Sequence, residues 1–125
     1  MNILKRNTKI CIDIDGTICE LRKPDQSYDE LKPLEGAASR IKDLKDQGAY
    51  IIFCTARHME TCDSNVGKVI ARQGQTLLKW LEIHGFVYDE IWFGKPNADV
   101  YIDDKAMKFE GSWDSINENL IQNYL

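Results

Sequence analysis

No stretch of this sequence is long and apolar enough to be a signal peptide or a membrane helix. The amino-terminal MNILKRNTKI is mixed in character, so a cytoplasmic protein without a membrane partner is expected. Basic charge is also in short supply. The chain has 16 Lys and Arg against 20 Asp and Glu, a formal charge of -4. A nucleic-acid partner wants clustered Lys and Arg and is therefore not expected. The acidic excess is mild, and it leaves room for a small phosphorylated ligand held through a metal ion. Cys11, Cys19, Cys54 and Cys62 form no CxxC pair and have no histidine at zinc-ligand spacing, which argues against a zinc site. A cysteine-dependent phosphatase needs a cysteine and an arginine bracketing a phosphate loop, with five residues between them. Cys62 meets Lys68 at that spacing and Cys54 meets Glu60. No repeat, linker or low-complexity tract is present, and 125 residues suit one domain over residues 1–125.

The chain alternates strand-like and helix-like segments. Residues 8–14 (TKICIDI) read as a strand that ends in acidic residues and Gly16. Residues 21–33 are polar and hold two prolines, as a loop does. Ala37, Ala38, Ile41 and Leu44 mark one face of a helix over 34–47, with Gly48 at the position that favours a left-handed stop. Residues 49–54 (AYIIFC) are nearly all apolar and predict a strand buried on both faces. Residues 56–72 are polar and read as irregular. A helix carrying Leu77, Leu78 and Leu81 follows and stops at Gly85. Strands are expected at 90–93 (EIWF) and 99–102 (DVYI), and a last helix carries Trp113, Ile116, Leu120 and Ile121. Alternation at this spacing predicts an α/β fold, doubly wound and three-layered, around a parallel sheet.

Ligand sites in such folds lie beyond the carboxyl ends of the strands. Chemically capable residues stand there in this chain: Asp13, Asp15 and Thr17 after the first strand, Thr55 and Arg57 after the second, Lys95 after the third, and Asp103 and Asp104 after the fourth. Carboxylates gathered together repel unless a cation compensates. Hard oxygen ligands suit Mg²⁺, which is often shared with phosphate. Asp13, Asp15 and Asp103 are the candidate ligands, with Asp104 behind them. Phosphoryl transfer needs a nucleophile, charge neutralisation and a proton for the leaving group. Asp13 can be the nucleophile and Asp15 the acid/base. Gly16 allows close backbone approach to a phosphate, Thr55 can donate its hydroxyl, and Lys95 can screen nucleophile and phosphate. Lys68 is a rival of Lys95 for that last role, and Lys105 a weaker one.

Asp13-Ile-Asp15-Gly-Thr17, Thr55 after Ile-Ile-Phe-Cys, Lys95 in Gly-Lys-Pro, and Tyr-Ile-Asp103-Asp104 together resemble the haloacid dehalogenase superfamily of phosphohydrolases. The stretches Cys54-Thr55-Ala56-Arg57, Asn65-Val66-Gly67-Lys68 and Gly94-Lys95-Pro96 through Asp103-Asp104-Lys105-Ala106 look like a small cap-less group found with capsular polysaccharide biosynthesis genes in bacteria. The resemblance implies a Rossmann-like core, Mg²⁺ dependence and a phosphosugar or phospho-polyol substrate destined for the capsule. Only about 16 residues separate Thr17 from the first helix, too few for an inserted cap domain. The pocket should then be open, or closed by its own loops or a neighbouring subunit in a homo-oligomer. The 56–72 segment is the expected specificity loop. In it Arg57 is a candidate ligand for a second anionic group, and Ala56, Asn65 and Lys68 stand with Gly16 and Thr17 as candidate phosphate or substrate contacts. Two other readings use the same residues: a non-catalytic binding subunit, and a phospho-receiver domain. The receiver wants its acceptor Asp after a middle strand, where this chain has Cys54-Thr55.

Overall fold

A computed structural model describes residues 4–125. Three strands, β1 (Lys9–Asp13), β2 (Tyr50–Thr55) and β3 (Glu90–Phe93), pair in parallel in the order β1-β2-β3. The register sets Asp13 beside Cys54 and Thr55 beside Phe93, so the carboxyl ends of all three strands meet at one edge.

Two helices make the crossovers. α1 (Ala37–Asp46) buries Ala37, Ile41 and Leu44, a stripe at the helical period. Gly48, at φ 103°, ends it and turns the chain into β2. α2 (Val66–Ile83) begins where the side chain of Asn65 accepts from the Lys68 amide and stops at Gly85, φ 74°. It buries Val69, Gln73, Leu77, Trp80 and Leu81. A short α3 (Glu118–Gln122) follows, with Ile121 buried.

The α/β class and the absence of an inserted cap agree with the sequence; four details differ. The helix expected to begin after residue 72 begins at Val66, because Asn65 caps it. The last helix spans only Glu118–Gln122; Trp113 and Ile116 are buried but stand in turns before it. β2 is buried on one face only: Ile51, Phe53 and Thr55 are enclosed, whereas Tyr50, Ile52 and Cys54 are half-buried. A strand order that runs steadily β1-β2-β3 with right-handed crossovers puts α1 and α2 on the same face. The other face presents Cys11, Ile52, Cys54 and a 59% exposed Trp92. Finally, residues 99–102 form no strand. They run as an exposed, irregular segment, and β1 is left as a sheet edge.

Candidate active site

β1 ends on Asp13. A turn follows in which Gly16, at φ 80°, donates its amide to the carbonyl of Cys19 at 2.9 Å, while Thr17 and Ile18 donate to that of Ile14. Ile14, Ile18 and Cys19 are fully buried. This packing fixes the loop, and Asp13, Asp15 and Thr17 remain half-buried on its surface. Trp113, from the far end of the chain, donates its indole N–H to the Thr17 carbonyl at 2.7 Å.

Lys95 lies across the edge from Asp13, with Nζ 3.4 Å from Oδ1. The Lys95 amide donates to the carbonyl of Thr55 at 3.1 Å, which locks the turn after β3 to the end of β2. Of the two candidate lysines, Lys95 is the one beside Asp13; Lys68 is exposed on the first turn of α2. Burial raises the pKa of the Asp13 carboxyl above its ordinary value, and the Lys95 charge works against that rise. Thr55 is fully buried, and its Oγ1 accepts from the Arg57 amide at 3.1 Å.

Arg57 differs from expectation. Its side chain has no exposed surface. Its Nε lies 3.1 and 2.9 Å from the two carboxylate oxygens of Asp15, its Nη2 lies 2.9 Å from Oδ1, and its Nη1 donates to Oε1 of Gln73 at 3.1 Å. The Tyr28 ring covers the guanidinium, 4.3 Å from its centre. A group so enclosed is not free to take a second anion from a substrate. It clamps Asp15. The thiol of Cys19 also reaches Oδ1 of Asp15 at 3.5 Å; burial pushes that thiol up to about 12, so it stays a neutral donor. Tyr28 and Gln73 are absent from the sequence reading. Gln73 carried a signal, being the polar residue at position i+4 between Val69 and Leu77 on the buried stripe of α2.

Ala56 is half-buried next to Thr55, and Asn65 is spent on capping α2. Asp103 and Asp104 are exposed in the irregular segment, where Asp103 accepts from the Lys105 amide at 2.8 Å. Among the described residues no three carboxylate, imidazole or thiol groups converge in a way that could hold a metal ion. Asp13 has an oxygen to offer, but Asp15 is engaged by Arg57 and Asp103 is elsewhere. The residues that one chain brings together therefore do not fit a magnesium cage.

A groove of about 860 Å³ lies between the loop after β1 and α2, lined among others by Arg22, Tyr28, His58, Arg72, Gln73 and Lys79. It shares Tyr28 and Gln73 with the Arg57 clamp. Burial, aided by the charges of Arg72, Arg22 and Arg57, holds the His58 imidazole below its ordinary pKa.

Residues 10–77 match the profile of the haloacid dehalogenase-like hydrolases. A crystal structure of a structural-genomics target from Vibrio cholerae is similar at 31% identity, with TM-score 0.82 over 94% of this chain and 95% of that one. A chain of an RNA repair complex is similar in fold at 18% identity, with TM-score 0.51 over 94% of this chain and 30% of that one. No curated protein gives a significant match.

Proposed function

Since the chain belongs to the haloacid dehalogenase-like hydrolases, we propose that it is a phosphatase in which Asp13 attacks a phosphomonoester. The observation that carries this reading is the Asp13–Lys95 pair at the carboxyl edge of the sheet, 3.4 Å apart and next to Thr55. A carboxylate alone would repel a phosphate dianion. Beside an ammonium group it can approach one.

The reaction balances on these residues. A carboxylate oxygen of Asp13 forms a bond to phosphorus as the ester P–O bond breaks, and the leaving oxygen takes up a proton. Lys95 offsets the charge on the phosphoryl oxygens. Water then attacks phosphorus, the bond to Asp13 breaks, and inorganic phosphate leaves with the carboxylate restored. In this reading Asp15 moves the proton once Arg57 releases one of its two oxygens. Thr55 can turn its hydroxyl hydrogen towards the phosphate, since its oxygen already accepts from Arg57.

Magnesium belongs to this reading through its affinity for carboxylate and phosphate oxygens, although the described residues of one chain do not by themselves assemble its ligands. The substrate we propose is a phosphosugar or phospho-polyol of surface-polysaccharide synthesis. The support is the likeness of residues 94–106 and of the stretches that hold Thr55 and Asn65 to the capsule-associated group. A screen of phosphosugars, phospho-polyols and phosphoamino alcohols with Mg²⁺ tests the proposal. Phosphate release that disappears in Asp13→Asn is expected. Release that persists in that variant would remove Asp13 from the chemistry, and no release from any ester would favour a binding subunit.

A further inference from the structure

Two surfaces that ought to be covered are bare. Among the described residues β1 is a sheet edge: only β2 pairs with it, and Lys9 and Cys11 are exposed. An open edge with free backbone N–H and C=O groups is a template for another strand. The second surface is the segment after β3, where Val100 is 72% and Ile102 98% exposed. Each is a β-branched residue that favours a half-buried pleated surface.

The two segments match when aligned in parallel, Lys9-Ile10-Cys11-Ile12-Asp13 against Asp99-Val100-Tyr101-Ile102-Asp103. In a parallel pair, residues at one level point to one face. Val100 and Ile102 would then stand beside Ile10 and the buried Ile12, extending the enclosed face. Lys9 would face Asp99, an opposite-charge pair of the kind that supports neighbouring strands. Asp103 would arrive beside Asp13, where one chain lacks a third carboxylate.

The same chain cannot make this pairing. The Lys95 amide is fixed to the carbonyl of Thr55 at the carboxyl end of β2. Four residue steps from there to Asp99 reach at most about 14 Å. A parallel strand on the outer side of β1 would have to start about 13 Å back along the sheet and about 10 Å across it, a separation of about 16 Å. Parallel neighbours ordinarily need a crossover of roughly a dozen residues, and only five lie between Phe93 and Asp99. An antiparallel return within the chain would carry Asp103 to the wrong end of the sheet. Beyond the segment the chain rejoins its own core, with Met107 and Phe109 packed against it and Trp113 bound to Thr17. Residues 96–106 thus form an arm held at both ends.

We propose that this arm pairs with the β1 edge of a second copy of the same chain. The exchange is reciprocal: each copy offers one arm and one edge, so the contact closes as a two-fold dimer. Each active site is then completed by Asp103 of the other copy. The role of Asp103 rests on the phosphatase reading; the strand exchange rests on the geometry alone.

Three measurements test the exchange. Sedimentation equilibrium should give twice the 14.4 kDa of one chain, and Ile102→Lys, at an exposed position, should give a folded monomer with an unchanged circular dichroism spectrum. Tyr101→Cys should form an intermolecular disulfide with Cys11, lost when Cys11→Ser is added. Asp13→Asn and Asp103→Asn should each be inactive as homodimers. Co-refolded in equal amounts, they should recover about a quarter of wild-type activity, because half the dimers are mixed and each mixed dimer has one intact site. A monomeric wild-type chain, a dimer indifferent to Ile102→Lys, or no recovery on mixing would overturn the exchange. An inactive wild type that still gives the Cys11 cross-link would support the exchange and count against the phosphatase reading alone.

Discussion

Arg57→Ala separates two roles for the same side chain. As a substrate ligand, Arg57 would raise KM on removal and leave the fold intact. As the clamp described above, it should cost stability first. Its guanidinium makes three contacts of 2.9–3.1 Å to Asp15 and one of 3.1 Å to Gln73, with no exposed surface. Removing one partner of a buried pair costs about 3–5 kcal/mol. Asp15 keeps 24% of its side-chain surface, so water can take over part of its solvation, and the low end, about 3 kcal/mol, applies. For 125 residues the unfolding entropy is roughly 0.26 kcal/mol/K, which converts that loss to a fall in Tm of about 11 °C. Arg57→Lys keeps the charge but cannot hold both oxygens and Gln73 together, so it should recover only part of the loss. Urea titration followed by tryptophan fluorescence, with a thermal melt, measures all three proteins. A loss below about 0.5 kcal/mol, the range of ordinary surface changes, combined with a raised KM would refute the clamp and restore Arg57 to the substrate.

Three further outcomes follow from the geometry. The Lys95 charge opposes the burial that raises the Asp13 pKa, so Lys95→Ala should move the acid limb of the kcat/KM profile to higher pH as well as lower its plateau; a limb that stays in place would detach the two residues. Gly16→Ala puts a Cβ on a residue at φ 80°, 3.0 Å from the tip of the exposed and yielding Leu21 side chain. The backbone strain dominates, and a loss of about 1–2 kcal/mol in urea is expected. The folded state binds a proton on His58 less readily than the unfolded chain, because burial depresses its pKa from 6.5. That contribution to stability is therefore complete above pH 6.5 and declines as pH falls through that value. Thermal melts from pH 7.5 to 5.5 should show the decline, and His58→Gln should flatten it.

The parts of the site made by strand ends were legible because their signals are local. Ile10-Cys11-Ile12 and Ile51-Ile52-Phe53 announce β1 and β2, and Asp13 and Thr55 then fall at the ligand edge by the rule of the fold. Gly48 marked the end of α1 for an equally local reason. What stayed hidden depends on partners distant in the chain. Arg57 and Asp15 are 42 positions apart, and no pattern in either segment tells whether an arginine after a strand turns outward to an anion or inward to a carboxylate. The start of α2 was obscured by Lys68 and Arg72, polar residues on its exposed side, although Asn65 was a capping signal within reach. The DVYI segment has the alternation of a strand, yet it forms none within the chain. Pairing, however, depends on the reach of the five residues before it, which composition does not reveal.

The bond from Trp113 to Thr17 joins residues 96 positions apart, and this bears on how the molecule is assembled during synthesis. Each of the three strands pairs with the strand next to it in sequence, so sheet and crossover helices can form as the ribosome delivers them. The Thr17 carbonyl must wait for Trp113. The loop that carries Asp13 and Asp15 is synthesised well before this last partner, so a chain stalled before Trp113 would hold three paired strands beside a loop whose Thr17 carbonyl still lacks its donor.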